Sequence, residues 1–156
     1  MSIRKAKPTD SHLLSRIAYE SKSYWGYSPE FMEACRLELT VSAEDISSGE
    51  VDYYVYQLED EIIGFYAIKP VSKRKVELEA LFVKPDFIGK AYGKALLNHA
   101  ISNAIQKNFT AIEIQGDPNA EKFYLASGAK LIGKSESGSI KGRFLPVYRL
   151  ELDQNL

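Results

Sequence analysis

The chain has 156 residues, 26% of them charged, with a net charge of −1 and a pI near 6.2. That length suits one domain with a core of its own, and the near-neutral balance argues against a general nucleic-acid or anionic-membrane surface. One cysteine, Cys35, allows no internal disulfide. No Cys/His cluster has metal-ligand spacing, and no apolar run approaches the ~20 residues that span a bilayer. A soluble protein of a reducing, cytoplasmic setting, bound to neither nucleic acid nor membrane, is the expectation.

In chain order, Ile3 to Ala6 reads as a short strand, followed by Pro8-Thr9-Asp10 as a turn in which Thr9 or Asp10 caps the next element. Leu13, Leu14, Ile17 and Ala18 give a helical stripe that ends near Ser21. An aromatic stretch interrupts it, and Ser28 with Pro29 opens a second helix, to about Leu37. Ser42 to Asp45 opens one further helical turn. The period then changes: Asp52 to Leu58, the turn Glu59-Asp60-Glu61 and Ile62 to Ile68 read as an antiparallel hairpin.

Next comes a strand, Val76 to Val83, in which Val76, Leu78, Ala80 and Phe82 alternate with Glu77, Glu79, Leu81 and Val83. A connection from Lys84 to Lys94 leads into a helix over 95–108, striped by Leu96, Leu97, Ala100, Ile101, Ala104 and Ile105. Small residues, Gly89 and Gly93, alternate there with Lys90 and Lys94. They let a ligand approach the backbone, and the N–H groups of a first helical turn favour an anion, most naturally a diphosphate. The spacing fits neither a Walker loop nor a dinucleotide fingerprint. A strand over Phe109 to Ile114 follows. Asp117 caps and Pro118 opens a short helix that closes at Gly128, and the strands Ala129 to Lys134 and Phe144 to Leu152 end the chain, joined by a Gly- and Ser-rich loop.

Ile88-Gly89-Lys90-Ala91-Tyr92-Gly93, between a strand and a helix, resembles the pyrophosphate loop of the GNAT superfamily of N-acetyltransferases, with Ile88 where the family has Arg or Gln and Ala91 where it has Gly. The segment Asp117 to Ala129 resembles a second family block, with Asn119, Phe123, Tyr124 and Gly128 in register apart from a one-residue compression. The resemblance implies the family's α/β fold, a mixed, mostly antiparallel sheet flanked by helices in the order β-α-α-β-β-β-α-β-α-β-β. It also implies acetyl-CoA as co-substrate, with no metal, held by the backbone of Leu81, Phe82 and Val83, by Ile88, Gly89, Lys90, Ala91, Tyr92, Gly93 and Lys94, and by Asn119.

An amine of pKa about 10.4 is unprotonated only ~0.04% of the time at pH 7, so a base is useful. The resemblance places Glu77 at a catalytic strand position, and Glu79, two residues on, leaves the same side of the strand and lies nearer the loop. The residues alone leave both as ordinary solvated side chains or as partners of Lys73, Arg74 or Lys75. Tyr124 falls where the family has a proton donor to the thioester sulfur. Tyr24, Trp25 and Tyr27 form a candidate aromatic grip for the acceptor, with core or lid as the alternative. His12 and His99 read as exposed or hydrogen-bonded, and Cys35 as no nucleophile. The expected activity is acetyl transfer to the primary amine of a small molecule. A non-catalytic coenzyme-binding domain and a protein N-acetyltransferase are the alternatives, and a homodimer is left open.

Overall fold

A computed structural model describes residues 2–152. Seven strands form one open sheet: β1 (Ser2–Lys5), β2 (Asp52–Leu58), β3 (Glu61–Pro70), β4 (Lys75–Val83), β5 (Ala111–Gln115), β6 (Lys130–Glu136) and β7 (Phe144–Glu151). Their spatial order is β1-β2-β3-β4-β5-β7-β6, and only β4 and β5 run parallel. The helices are α1 (Ser11–Ser23), α2 (Pro29–Leu39), α3 (Ala43–Ser47), α4 (Tyr92–Gln106) and α5 (Glu121–Ala126). None is long and apolar enough to cross a membrane.

Each face of the sheet has its own core. On one face Leu14, Ile17 and Ala18 of α1 and Met32 and Cys35 of α2 pack on Val55, Ile62 and Phe65. On the other, Leu96, Leu97, Ala100 and Ala104 of α4 cover Ile63, Tyr66, Ile68, Val76 and Leu78. Strand β3, central and sandwiched, is buried from Ile62 to Ile68, the pattern of a strand covered on both faces. Asn103, buried on α4, donates to the Tyr66 hydroxyl at 3.3 Å, and His99 Nδ1 lies 2.7 Å from the same oxygen. Burial holds the His99 imidazole below its ordinary pKa. These two polar residues satisfy a hydroxyl that would otherwise be stranded in the core.

The expected elements are present, with local corrections. Helix α1 continues to Ser23 and α2 to Leu39. Asp10 holds the N-cap position of α1 without a side-chain cap bond; its carboxylate instead accepts from Lys7 N–H and the Arg4 guanidinium. Ser28 caps α2 through Phe31 N–H at 3.1 Å, and Ser42 and Asp45 form a reciprocal capping box on α3. The hairpin turn is Glu59-Asp60, with Glu61 already in β3. Helix α4 starts at Tyr92, so Tyr92, Gly93 and Lys94 form its first turn rather than the end of a loop, and it stops at Gln106.

The largest correction concerns β4. Its register with β3 passes from Ala67↔Ala80 to Ile68↔Leu78, leaving Glu79 as the extra residue of a bulge. Side-chain parity changes there: Val76 and Leu78 share a core with Leu81 and Val83, whereas Ala80 and Phe82 pack on the opposite face. The unbroken alternation expected from the sequence does not hold, because a bulge adds one residue to one strand only.

Candidate active site

Strands β4 and β5 pair from Lys75↔Ala111 to Leu78↔Ile114 and no further. Past Leu78, β4 runs on through Glu79 to Val83 while β5 turns toward β7, where Gly116 N–H donates to Pro146 carbonyl at 3.0 Å. The strands therefore part, and residues 79–83 present a free edge on that side. A cavity of about 550 Å³ opens along it, walled by Glu77 to Val83, Ile88 and Gly93 at one end and by residues of α1, α2, α5 and the β6–β7 loop around the rest.

At the end of the free edge, the turn Pro85–Phe87 carries the chain to Gly89 (φ +83°), Ala91 (φ +70°) and the start of α4. The first helical bond runs from Ala95 N–H to Ala91 carbonyl, so the N–H groups of Tyr92, Gly93 and Lys94 have no partner within the helix. Gly89, Lys90, Ala91 and Lys94 are exposed. Ile88 packs against the core, where Tyr92 also meets Phe87 and Tyr56 edge-on. This corner offers free backbone N–H groups with two lysines beside them, a chemistry suited to an anion, and Ile88 anchors it by packing on the core. Of its residues, Ile88 and Gly93 reach the cavity wall.

Across the cavity, α5 presents Tyr124, which is 7% exposed. Its ring fits because residue 116 is a glycine: a Cβ there would lie 3.1 Å from both Tyr124 Cε2 and Tyr148 Cε2. Among the described residues the Tyr124 hydroxyl has no hydrogen-bond partner, although the ring lines the cavity. Burial, then Tyr148 and Asp117, push its pKa far above the ordinary phenol value, so it stays protonated.

Glu77 and Glu79 both line the cavity, and among the described residues neither makes a hydrogen bond or an ion pair. Lys75 is taken by Glu113 at 2.9 Å. Lys69, which stands opposite Glu77 in the register, lies outside ion-pair range of both. The Glu79 carboxyl is pushed above its ordinary pKa by partial burial first, then by Glu77 and Glu38, with Lys69 opposing. Glu79 remains open to the cavity solvent, which limits the size of that shift.

The aromatic grip expected of Tyr24, Trp25 and Tyr27 does not assemble. Tyr24 and Trp25 meet edge-on and stay exposed, and of the three only Trp25 reaches the cavity. Tyr27 stacks on Phe31 at 4.2 Å, and the cations of Lys22 and Arg143 lie over both rings, so the pair is already engaged within the protein. The Tyr27 hydroxyl donates to Asp117 at 2.8 Å and accepts from Arg143 at 3.0 Å and from the Asn119 amide at 3.1 Å. Asn119, expected to face the coenzyme, thus bonds Tyr27 and Asp117 with its side chain. Lys22 pairs with Asp117 at 3.4 Å. Burial alone would raise the Asp117 pKa, but Asn119, Tyr27 and Lys22 together hold it below the ordinary value. Read as a cap, Asp117 gives no sign in sequence of this hub, because Lys22, Tyr27 and Arg143 come from remote segments. Cys35 is buried and free.

A sheet that parts beside a helix start with free N–H groups, with acids and a buried tyrosine lining the gap, provides the groups that acyl transfer from a phosphate-bearing thioester coenzyme would use. Residues 16–129 match the model of the Acetyltransferase (GNAT) family, and the chain belongs to that family. An uncharacterized N-acetyltransferase of Methanocaldococcus jannaschii is 31% identical over 110 residues, 65% of this chain and 46% of the relative, so the match spans about half of that relative's length. Among solved structures, the PaiA N-acetyltransferase of Thermoplasma acidophilum, in complex with coenzyme A, superposes with a TM-score of 0.76 at 22% identity, covering 96% of this chain and 98% of that one. A GCN5-related N-acetyltransferase of Rhodopseudomonas palustris gives 0.80 at 19% identity, covering 97% and 95%. At these identities the structural likeness concerns the fold.

Proposed function

We propose that the protein transfers an acetyl group from acetyl-CoA directly to the primary amine of a small molecule. The observation that carries this reading is the convergence on one cavity of two carboxylates, Glu77 and Glu79, and a largely buried tyrosine, Tyr124, whose side chains have no hydrogen-bond or ion-pair partner among the described residues. The residues fit the co-substrate: free N–H groups at the start of α4, with Lys90 and Lys94, suit a diphosphate, and the free edge of β4 offers backbone groups to an extended amide-bearing arm. Acetyl-CoA, when bound, supplies an acyl group on a good leaving thiolate.

The chain's own groups then divide the work. Glu79, whose raised pKa makes it a better acceptor than an ordinary carboxylate, takes the proton of the incoming ammonium, directly or through water. The edge N–H groups between Leu81 and Val83 stabilise charge that develops on the carbonyl oxygen. Tyr124, protonated throughout the neutral range, donates to the departing sulfur. An ordinary phenol is already a weaker acid than a thiol by ~1.5 pKa units, and burial widens that gap for Tyr124, so its first contribution is a hydrogen bond that orients the sulfur.

A small acceptor is favoured over a polypeptide by bonds that tie the β6–β7 loop, which helps line the cavity, to α2 and to the α1–α2 connection. Ser139, in the β6–β7 loop, donates to Glu38 on α2, and Arg143 of the same loop donates to Tyr27 between α1 and α2. Such bridges obstruct a chain that must enter and leave. Incubation with acetyl-CoA and a panel of primary amines, read by thiol release and by mass spectrometry of the products, tests the reading. Acetylated small amines are the expected result. Saturable acetyl-CoA binding without any acetylated product would make this a non-catalytic coenzyme-binding domain, and acetylated lysine or N-terminal peptides in place of small amines would overturn the small-molecule acceptor.

A further inference from the structure

The cavity holds more negative charge than a base requires. Five carboxylates line it: Glu38, Asp45, Glu77, Glu79 and Asp117. Asp117 is paired with Lys22, and Asp45 accepts from Ser42 N–H at 2.9 Å in the cap of α3. Glu38 accepts one hydrogen bond, from Ser139, and has no ion pair among the described residues. Glu77 and Glu79 have neither. The cations at hand are committed or distant: Arg143 faces Tyr27 and Phe31, Lys75 is on Glu113, and Lys69 opposes Glu77 beyond ion-pair range. Glu38 comes from α2 and Glu77 from β4, both line the cavity with Glu79, and both act on its carboxyl.

We propose that the acceptor is a small aliphatic amine with a second ammonium group, which Glu77 and Glu38 hold while the first amine meets Glu79. This rests on the acetyltransferase reading above and names the acceptor class for the same site. A monoamine would neutralise one carboxylate and leave the others facing each other in a partly walled cavity, where like charges repel more strongly than in open water. A dication matches the charge, and only one of its two amines can stand beside Tyr124. Trp25 and Tyr53 line the cavity too, apolar walls suited to the methylene chain between two ammonium groups. An independent sign that a ligand belongs here is Tyr124 itself, a side chain 7% exposed that lines the cavity and whose hydroxyl has no hydrogen-bond partner among the described residues.

The test uses the full chain with saturating acetyl-CoA and matched acceptors, such as 1,4-diaminobutane against n-butylamine and the longer and shorter homologues of each. The expected result is a kcat/KM at least ~10-fold higher for the diamine, from one added charge-assisted contact, and a preference that shrinks as ionic strength rises. Glu77→Gln should collapse the diamine-to-monoamine ratio through the KM of the diamine; Glu38→Gln, on a separate element, should do the same more weakly and covers the case in which the first variant folds poorly. Equal turnover of each monoamine and its diamine, or a ratio that survives both substitutions, would overturn the proposal and leave the acetyltransferase reading standing. Bound acetyl-CoA with no amine acetylated would remove both.

Discussion

At the scale of single residues, Glu79 owes its place to the bulge. As the extra residue between Leu78 and Ala80, it stays in the cavity with Glu77 while the core-facing side chains change sides around it. Its carboxyl is raised, and the sign of that shift makes two predictions. As a base it must be ionised, so kcat should rise with pH through an inflection above the ordinary Glu value, and Glu77→Gln, which removes one raising cause, should move the inflection down. Because the folded pKa exceeds the unfolded one, the folded state binds more protons between the two values, and ionising Glu79 lowers stability as pH rises through that window. Glu79→Gln should therefore lose ~100-fold in kcat yet melt higher than the wild type at neutral pH, with the gain fading in acid. Melting curves at both pH values, beside initial rates, check this, and an unchanged kcat would remove Glu79 as the base. Tyr124→Phe makes a different split: with the hydroxyl in the proposed role of donor to the departing sulfur, kcat should fall while the acetyl-CoA dissociation constant holds. A parallel loss of both would move Tyr124 out of the chemistry.

At the scale of elements, the corner that opens α4 carries strain in Ala91, held at φ +70° as the residue before the helix. An L-residue there costs about 1–2 kcal/mol, part of which glycine would return to the unfolded chain as entropy. Ala91→Gly should thus raise Tm by ~2–3 °C, measured by calorimetry, without weakening acetyl-CoA binding. Local signals made this corner legible in sequence: the alternating small residues, the Ser28 and Ser42 caps and the switches of period mark most elements. Features with no compositional mark were not legible. The bulge at Glu79 changes no residue type, only which face Ala80 and Phe82 take. Tyr92 and Gly93 are weak helix formers, yet tertiary packing against Phe87 and Phe123 starts α4 there. In the site, Leu81 to Val83 and Asn119 to Tyr124 lie in segments marked by the resemblance to the GNAT family, whereas Glu38, Lys22 and Arg143 enter only through the folded chain. Tyr27 misled in part for the same reason: Phe31 and Lys22, near it in sequence, and Arg143, remote from it, engage its ring together.

At the scale of the whole molecule, the Asp117 hub joins three segments that the sheet alone would leave apart: the end of α1 with the α1–α2 connection, the β5–α5 turn and the β6–β7 loop. Tyr27→Phe keeps the stack on Phe31 but removes the hydroxyl that links Asp117, Asn119 and Arg143. A hydrogen bond to a charged group contributes ~1.5–3 kcal/mol, so the variant should melt several degrees lower, at ~2–4 °C per kcal/mol for a chain of this size. The pH dependence identifies the source. Burial by itself raises the Asp117 pKa, and the bonds from Asn119, Tyr27 and Lys22 more than reverse it, leaving the folded value below the unfolded one. The stabilisation is therefore fully present above the unfolded Asp pKa and is lost as pH falls through the lower folded value. Asp117→Asn should lie well below the wild type in Tm at neutral pH, and the two curves should converge as the wild-type carboxylate takes up its proton in acid. If the gap were constant across that range, the hub would owe its stability to shape and neutral hydrogen bonds, and Lys22 could be replaced by Met without loss. If the curves converge, the charge on Asp117 ties the cavity's far wall together, and Lys22→Met should lower the neutral-pH Tm in the same direction.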